Sequence, residues 1–256
     1  MYKTVTSASN PVIKELKGLQ KRKNRKSSGS FLIEGYRLVL DAVQNGIIPE
    51  LLLVRQDKAD AFAEILSRCG GIDVLLVSEA VIQALSMTES PEGIMARVRI
   101  PQEHTEGDEN TVIVLDGVQD PGNLGTILRT ANSAGIHDIY FLGDNVDMYN
   151  PKVVRSAMGA VFLVRPHYCA SAEQLYAHLR ARGYSVCATV LSGRDFYSAT
   201  LPERIALVLG NEGNGISRES LDSADYRLTL PMAPGAESLN VAVCAGIMIF
   251  DIIYRR

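Results

Sequence analysis

Three short segments hold most of the side chains able to do chemistry, and each follows an apolar run. In LDGVQDPGNLGTILRTANSAG, residues 115–135, Asp120-Pro121-Gly122 makes a turn, Asn123 can cap the helix that follows, and Gly135 can end it. Helical spacing sets Leu124, Leu128 and Ala131 on one face, with Thr126, Arg129 and Ser133 on the other, so Arg129 projects from the polar side. Read alone, that arginine is either a solvated charge or a functional one. In LVLGNEGNGIS, residues 207–217, a strand runs into Gly210-Asn211-Glu212-Gly213, where small residues let backbone approach a ligand and free amides could grip a carboxylate or an adenine edge. Glu212 is the single charge there, and a ligand-free tight turn is the alternative. In LTLPMAPGAESLNVAVCAG, residues 228–246, Ser238 and Asn240 stand at the start of a closing helix. Capping suits Ser238, whereas Asn240, placed inside the first turn beside apolar residues, suits a functional role.

The familiar alternatives are missing. No GxGxxG follows a strand, no lysine follows a glycine as a P-loop requires, and neither GxSxG nor HExxH occurs. Dehydrogenase, kinase, hydrolase and zinc-protease chemistries are thereby set aside. Cys69, Cys169, Cys187 and Cys244 are scattered singly among apolar neighbours, without ligand-like spacing to the histidines, and are expected to be reduced core residues, with no disulfide and no metal site.

The elements that must position these segments alternate in an α/β pattern. In the first half, FLIEG leads into YRLVLDAVQNG, ELLLVR into a helical stretch from Asp57 to Cys69, DVLLVS into EAVIQALSM, and GIMARVRI closes as a strand. Residues 101–110, PQEHTEGDEN, are polar and aperiodic and form the linker candidate, giving domains 1–100 and 111–256. The second half reads as TVIVLD, a helix from about Gly122 to Ala134, DIYFLG, a helix near Val153 to Met158, a strand in AVFLVRP, a helix near Ala172 to Arg182, SVCATVL, IALVLG, a short helix near Ser217 to Leu221, YRLTLP, and a helix from Ser238. Near-continuous apolar strands between crossover helices imply a parallel sheet covered on both faces, with ligands beyond the carboxyl ends of its strands. The closing helix carries no charge between Ser238 and Phe250 and must be buried all round, in the core or against a second subunit; a homodimer interface is favoured.

Bulk properties set the context. A chain of 256 residues, 46% apolar, can bury a full core. No apolar run reaches the roughly 18 residues that suggest a membrane span, and the N-terminus lacks a signal-peptide core, so a cytoplasmic protein is expected. The net charge of −3 hides an asymmetry: residues 1–26 hold eight of the 26 basic residues against Glu15 alone, leaving the remainder at −10. That basic arm is either a solvated terminus or a polyanion contact that gains by releasing counterions.

Together, in this order, PGNLGTILRTA, VLGNEGNGIS and LPM followed by SLNVAVCAG resemble the SpoU family of ribose 2′-O-methyltransferases within the SPOUT superfamily. The resemblance covers about residues 111–256 well. FLIEGYRLVLDAV and TESPEGIMARV look, more loosely, like the substrate-binding α/β domain that precedes the catalytic domain in members acting on ribosomal RNA. The resemblance implies a parallel-sheet SPOUT domain with a deep trefoil knot, a homodimer through the last helix, and S-adenosylmethionine held by Thr189, Val190, Leu191, Leu209, Gly210, Asn211, Gly213, Leu230, Met232 and Leu239. It implies a catalytic site of Asn123, Arg129, Glu212, Ser238 and Asn240, with Arg129 acting across the dimer and no metal. It also gives the arm a purpose, in which Lys3, Lys14, Lys21, Arg22, Lys23, Arg25 and Lys26 hold RNA.

Alignment of the 2′-oxygen, methyl and sulfur can supply roughly 7 to 11 kcal/mol. A guanidinium is too basic to serve readily as general base, so Arg129 is expected to clamp a phosphate and steady the alkoxide, with Glu212 a base or an orienter. Transfer RNA as substrate, an inactive RNA-binding relative on the same fold, and a phosphate-ester enzyme are the competing readings.

Overall fold

The computed structural model describes residues 2–101 and 104–255, so Gln102 and Glu103 of the expected linker lie outside the described residues. In chain order the elements are β1 (Tyr2–Val5), α1 (Pro11–Gly18), α2 (Arg22–Ser28), β2 (Ser30–Glu34), α3 (Tyr36–Gln44), β3 (Leu51–Arg55), α4 (Ala63–Arg68), β4 (Val74–Val77), α5 (Glu79–Leu85) and β5 (Ile94–Arg99). There follow β6 (Thr111–Asp116), α6 (Pro121–Ser133), β7 (Asp138–Leu142), α7 (Pro151–Ala157), β8 (Arg165–Cys169), α8 (Ala172–Ala181), β9 (Ser185–Asp195), β10 (Ile205–Gly210), α9 (Arg218–Asp222), β11 (Tyr226–Thr229) and α10 (Val241–Tyr254).

Two compact units result. One comprises 1–102 together with 147–162, the other 103–146 with 163–256. The first is a five-stranded sheet in the order β1-β4-β3-β5-β2, mixed because β5 runs antiparallel to both β2 and β3. Its N-terminal residues are integral to it. β1 pairs in parallel with β4, and α1, capped by Asn10 and started by Pro11, buries Ile13 and Leu16 against Leu53, Leu75 and Val77. Fully burying each such side chain contributes about 1.5–3 kcal/mol. α7 also belongs to this unit, packing on β2 although it lies far along the chain.

The second unit is a six-stranded sheet, β11-β9-β10-β6-β7-β8, parallel at every pairing. β6 and β10 are buried at every position, as a parallel strand covered on both faces must be. The expected strand in AVFLVRP is corrected. Met158–Phe162 forms a 3-10 turn, entered at Met158 with φ 54°, and its Ala160 and Val161 are spent on burial in the first unit. The strand begins later, at Arg165, where pairing with Asp138 starts. The segment Asp57 to Cys69 likewise splits into two 3-10 turns and the short α4.

Residues 104–110 are a docked strap. Glu106 accepts from Tyr140 Oη at 2.6 Å, from His178 Nε2 at 2.9 Å and from Arg182 Nη1 at 3.0 Å, while the amide of Gly107 donates to Asp138 Oδ2 at 2.8 Å. Asp138 is fully buried and also accepts from Arg165 Nε and His167 Nε2, both at 2.8 Å. Burial pushes its pKa up, but these donors outweigh that and hold the carboxyl far below the usual range.

Candidate active site

The three chemically loaded segments converge. The loops after β6, β10 and β11, with an excursion of β9, line one cavity of about 860 Å³ in the second unit. The excursion arises because β11 pairs with β9 at Arg227↔Ala188 and next at Leu228↔Arg194, so residues 189–193 loop out. Thr189 Oγ1 ties that loop to the carbonyl of Val208 at 2.9 Å. Gly210 is required by the loop after it. A Cβ there would sit 2.4–2.6 Å from the backbone of Gly215 and Ile216, so its smallness serves the loop's own return. Asn211 closes the loop, donating to Gly117 O and accepting from the amides of Gly213 and Asn214, each at 2.9 Å.

A chain of side chains runs along the cavity rim. Glu212 accepts from the amides of Gln119 at 3.2 Å and Asp120 at 3.1 Å and from Asn123 Nδ2 at 3.0 Å. Asn123 Oδ1 in turn accepts from Asn240 Nδ2 at 2.8 Å. Burial raises the Glu212 pKa, but the Asn123 and backbone donors prevail and set it below the ordinary carboxylate value. It is an anion at neutral pH.

Two capping assignments are corrected. The N-cap of α6 is Asp120, which accepts from Asn123 N at 2.8 Å, leaving the Asn123 side chain free to bridge Glu212 and Asn240. The N-cap of α10 is Asn240, accepting from Ala242 N at 2.9 Å and Val243 N at 3.2 Å, whereas Ser238 lies ahead of the helix and faces the cavity. α6 starts at Pro121, earlier than the pattern suggests, so Asp120 and not Asn123 flanks it, while α10 starts at Val241, later than the pattern suggests, so Asn240 and not Ser238 is its cap.

Of the residues expected to hold the cofactor, Thr189, Val190, Leu191, Gly210, Asn211, Gly213, Leu230, Met232 and Leu239 line the cavity. Leu209 does not line it. It pairs with Leu115 in the middle of the sheet and is wholly buried, so its side chain is a core group. Arg129 is also absent from the lining and lies exposed on α6, about 9 Å along the axis from Asn123. Asp120, Glu237, Cys244 and Met248 also line the cavity, although the sequence marks Asp120 only as part of a turn and Cys244 only as a core thiol, and Glu237 and Met248 come there only through the fold. The cysteines are free thiols. Cys69 and Cys187 are buried, Cys169 and Cys244 half-buried, and burial pushes the Cys244 thiol up to about 11. Among the described residues no group of three or more histidines, cysteines and carboxylates is placed to hold a metal.

Of the basic arm, Lys3, Lys14, Lys21, Arg22, Lys23 and Lys26 are exposed. Arg25 is corrected. It is 2% exposed and bound to Asp147 and to Leu19 O, so it holds the fold and is not presented to a partner.

A parallel-sheet domain with a cavity of about 860 Å³ lined by the loops after β6, β10 and β11, following a smaller α/β unit in the chain, defines the class, and comparison with known proteins agrees. The chain belongs to the SpoU rRNA Methylase family, whose sequence profile matches residues 110–250. A second profile, the MRM3-like substrate binding domain, matches residues 10–96. The chain is 36% identical over 253 residues to the 23S rRNA (guanosine(2553)-2′-O)-methyltransferase RlmP of Bacillus subtilis, covering 98% of this chain and 99% of that one. Its fold matches the AdoMet-bound rRNA methyltransferase of Sinorhizobium meliloti with a TM-score of 0.86, at 34% identity over 99% of this chain and 98% of that chain. The SpoU methyltransferase AviRb of Streptomyces viridochromogenes, solved in complex with AdoMet, superposes equally well at 25% identity over 96% and 98% of the two chains.

Proposed function

We propose that this chain methylates a ribose 2′-hydroxyl of ribosomal RNA with S-adenosylmethionine, working as a homodimer in the cytoplasm. The observation that carries the reading is the bonded chain Glu212, Asn123, Asn240 at the rim of a cavity able to take a nucleoside-sized donor.

The lining fits a cationic ligand. Among the described residues its charged side chains are Asp120, Glu212 and Glu237, all acidic, while Val190, Leu191, Leu230, Met232 and Leu239 offer an apolar wall. When bound, S-adenosylmethionine supplies a methyl group on a positively charged sulfur. Backbone and apolar side chains of residues 189–191, 210–213 and 230–239 would hold it.

The protein's own contribution is then orientation. Glu212 stays ionised and is committed to three donors, so it serves as an anchor for Asn123 and is a poor proton acceptor. Asn123 and Asn240 each keep an N–H, and Ser238 a hydroxyl, with which to fix the ribose. Arg129 completes the site from a second subunit. Three observations favour that arrangement: the guanidinium is exposed on α6, α10 packs against α6, and α10 leaves Val243, Ile247, Phe250 and Tyr254 exposed as one stripe at helical spacing. An apolar stripe of this kind is the face a second copy would cover. The trefoil knot belongs to the same proposal, supported by the way α10 and its preceding loop enter the cavity that the β9 and β10 loops also line.

Mapping 2′-O-methyl groups in total RNA with and without the gene tests the function. Loss of one ribosomal site is the expected result, and an unchanged map would overturn it.

A further inference from the structure

The sequence places the cations of the arm at one end of the chain, but the fold brings two more to the same unit. Arg25 is the reason. Its Nε and Nη2 donate to Asp147 Oδ2 at 2.9 and 2.5 Å and its Nη1 to Leu19 O at 2.7 Å, pinning the start of the 147–157 segment beside α2. Phe31 and Tyr149 then meet with ring centroids 4.7 Å apart, and α7 packs on β2, burying Val153, Val154 and Ala157. The remaining face of α7 carries Lys152 and Arg155, three residues apart and both exposed.

We propose that Lys152 and Arg155 join the basic arm in one phosphate-binding surface on the first unit, gripping the RNA backbone. Rim continuity supports it: a cleft of about 60 Å³ is lined by Leu19 and Gln20, next to Lys21, and by Pro151, Val154 and Arg155. Two acids of this region are held by protein donors. Asp147 is bound to Arg25, and Glu34, also on the cleft, accepts from Thr88 Oγ1 at 3.0 Å, Met87 N at 3.3 Å and the Ser86 hydroxyl. Neither α2 nor α7 carries an acid, so the charges these two helices expose are cationic: Lys21, Arg22, Lys23 and Lys26 from α2 and its approach, Lys152 and Arg155 from α7. The α7 pair lies outside the matched substrate-binding profile at 10–96. A flexible phosphate backbone suits such a surface, because each cation set against a phosphate releases counterions without needing a fixed base sequence.

This surface rests on the RNA reading above, and the test separates the two. Binding of protein-free ribosomal RNA is measured against salt for the wild type, for K152Q/R155Q, for R22Q/K23Q and for the charge-keeping K152R/R155K. Both glutamine variants should bind several-fold more weakly, each with a logarithmic salt slope smaller by about 1.5, while K152R/R155K keeps the wild-type slope. S-adenosylmethionine affinity, measured by calorimetry, should be unaltered in all. A wild-type slope in K152Q/R155Q, with a reduced one in R22Q/K23Q, overturns the α7 contribution alone. A wild type without salt-dependent RNA affinity removes the RNA reading and this surface with it.

Discussion

Asn240 does two things at once: its Oδ1 caps α10, and its Nδ2 donates to Asn123 Oδ1 at 2.8 Å. The two jobs use different atoms, so chemistry can separate them. In Asn240→Asp the carboxylate can still accept from Ala242 and Val243 but has no N–H for Asn123. Thermal stability should stay within about 0.5 kcal/mol of the wild type, whereas turnover should fall about tenfold or more. Asn240→Ala should lose turnover and about 1 kcal/mol of stability as well. Equal turnover in the aspartate variant and the wild type would show that the Asn123 contact is incidental.

Glu212 makes a statement about pH. Its pKa is lowered in the folded protein because the Asn123 and backbone donors outweigh its burial, so its stabilising contribution is present above the ordinary carboxylate range and lost as pH falls through the lowered value. Glu212→Gln should therefore be less stable than the wild type at pH 7, and the difference should shrink toward pH 3. Denaturant melts across that range measure it. A gap that widens on acidification would contradict the anchoring role.

Asp138 fastens the strap. Removing its charge in Asp138→Asn leaves Arg165 with a lost partner in a buried network, and breaking such a pair costs about 3–5 kcal/mol. Its folded pKa is strongly depressed, so the wild type should also lose stability progressively on acidification below the usual carboxylate range. Urea denaturation of both proteins at pH 7 and at about pH 3, below the unfolded aspartate pKa, checks the two claims, with a larger gap expected at pH 7.

Much of this was legible in the residues. The buried runs Thr111–Asp116 and Ile205–Gly210 announced a two-faced parallel sheet, and the three polar segments at strand ends announced a common site. What escaped was what depends on non-local partners. Asn240 caps its helix because α10 starts later than the pattern suggests, Asn123 does not because α6 starts earlier, and whether Arg25 meets solvent turns on Asp147, 122 residues away. The strap read as linker because its carboxylates find their histidines and arginines only once the sheet has assembled. The same holds for Val161, an apolar residue that periodicity assigns to a strand and packing assigns to a turn in the other unit.

The exposed stripe on α10 gives a test of subunit sharing. Phe250→Glu should shift the sedimentation of the protein from dimer to monomer and abolish methyl transfer. Mixing Arg129→Ala with Asn123→Ala subunits should restore activity, since one site in each mixed dimer then has both groups intact. Mixtures as dead as their parents would place Arg129 in its own subunit's site, and an Arg129→Ala parent with wild-type activity would place it outside the chemistry.

The cavity rimmed by Glu212, Asn123 and Asn240 is proposed to deliver a methyl group to a ribose oxygen. The direct measurement is incubation of the purified protein with methyl-labelled S-adenosylmethionine and protein-free ribosomal RNA, then digestion to nucleosides. Label should appear in a 2′-O-methylnucleoside and vanish in Asn123→Ala. Label on a base, or a rate indifferent to Asn123, would contradict the account.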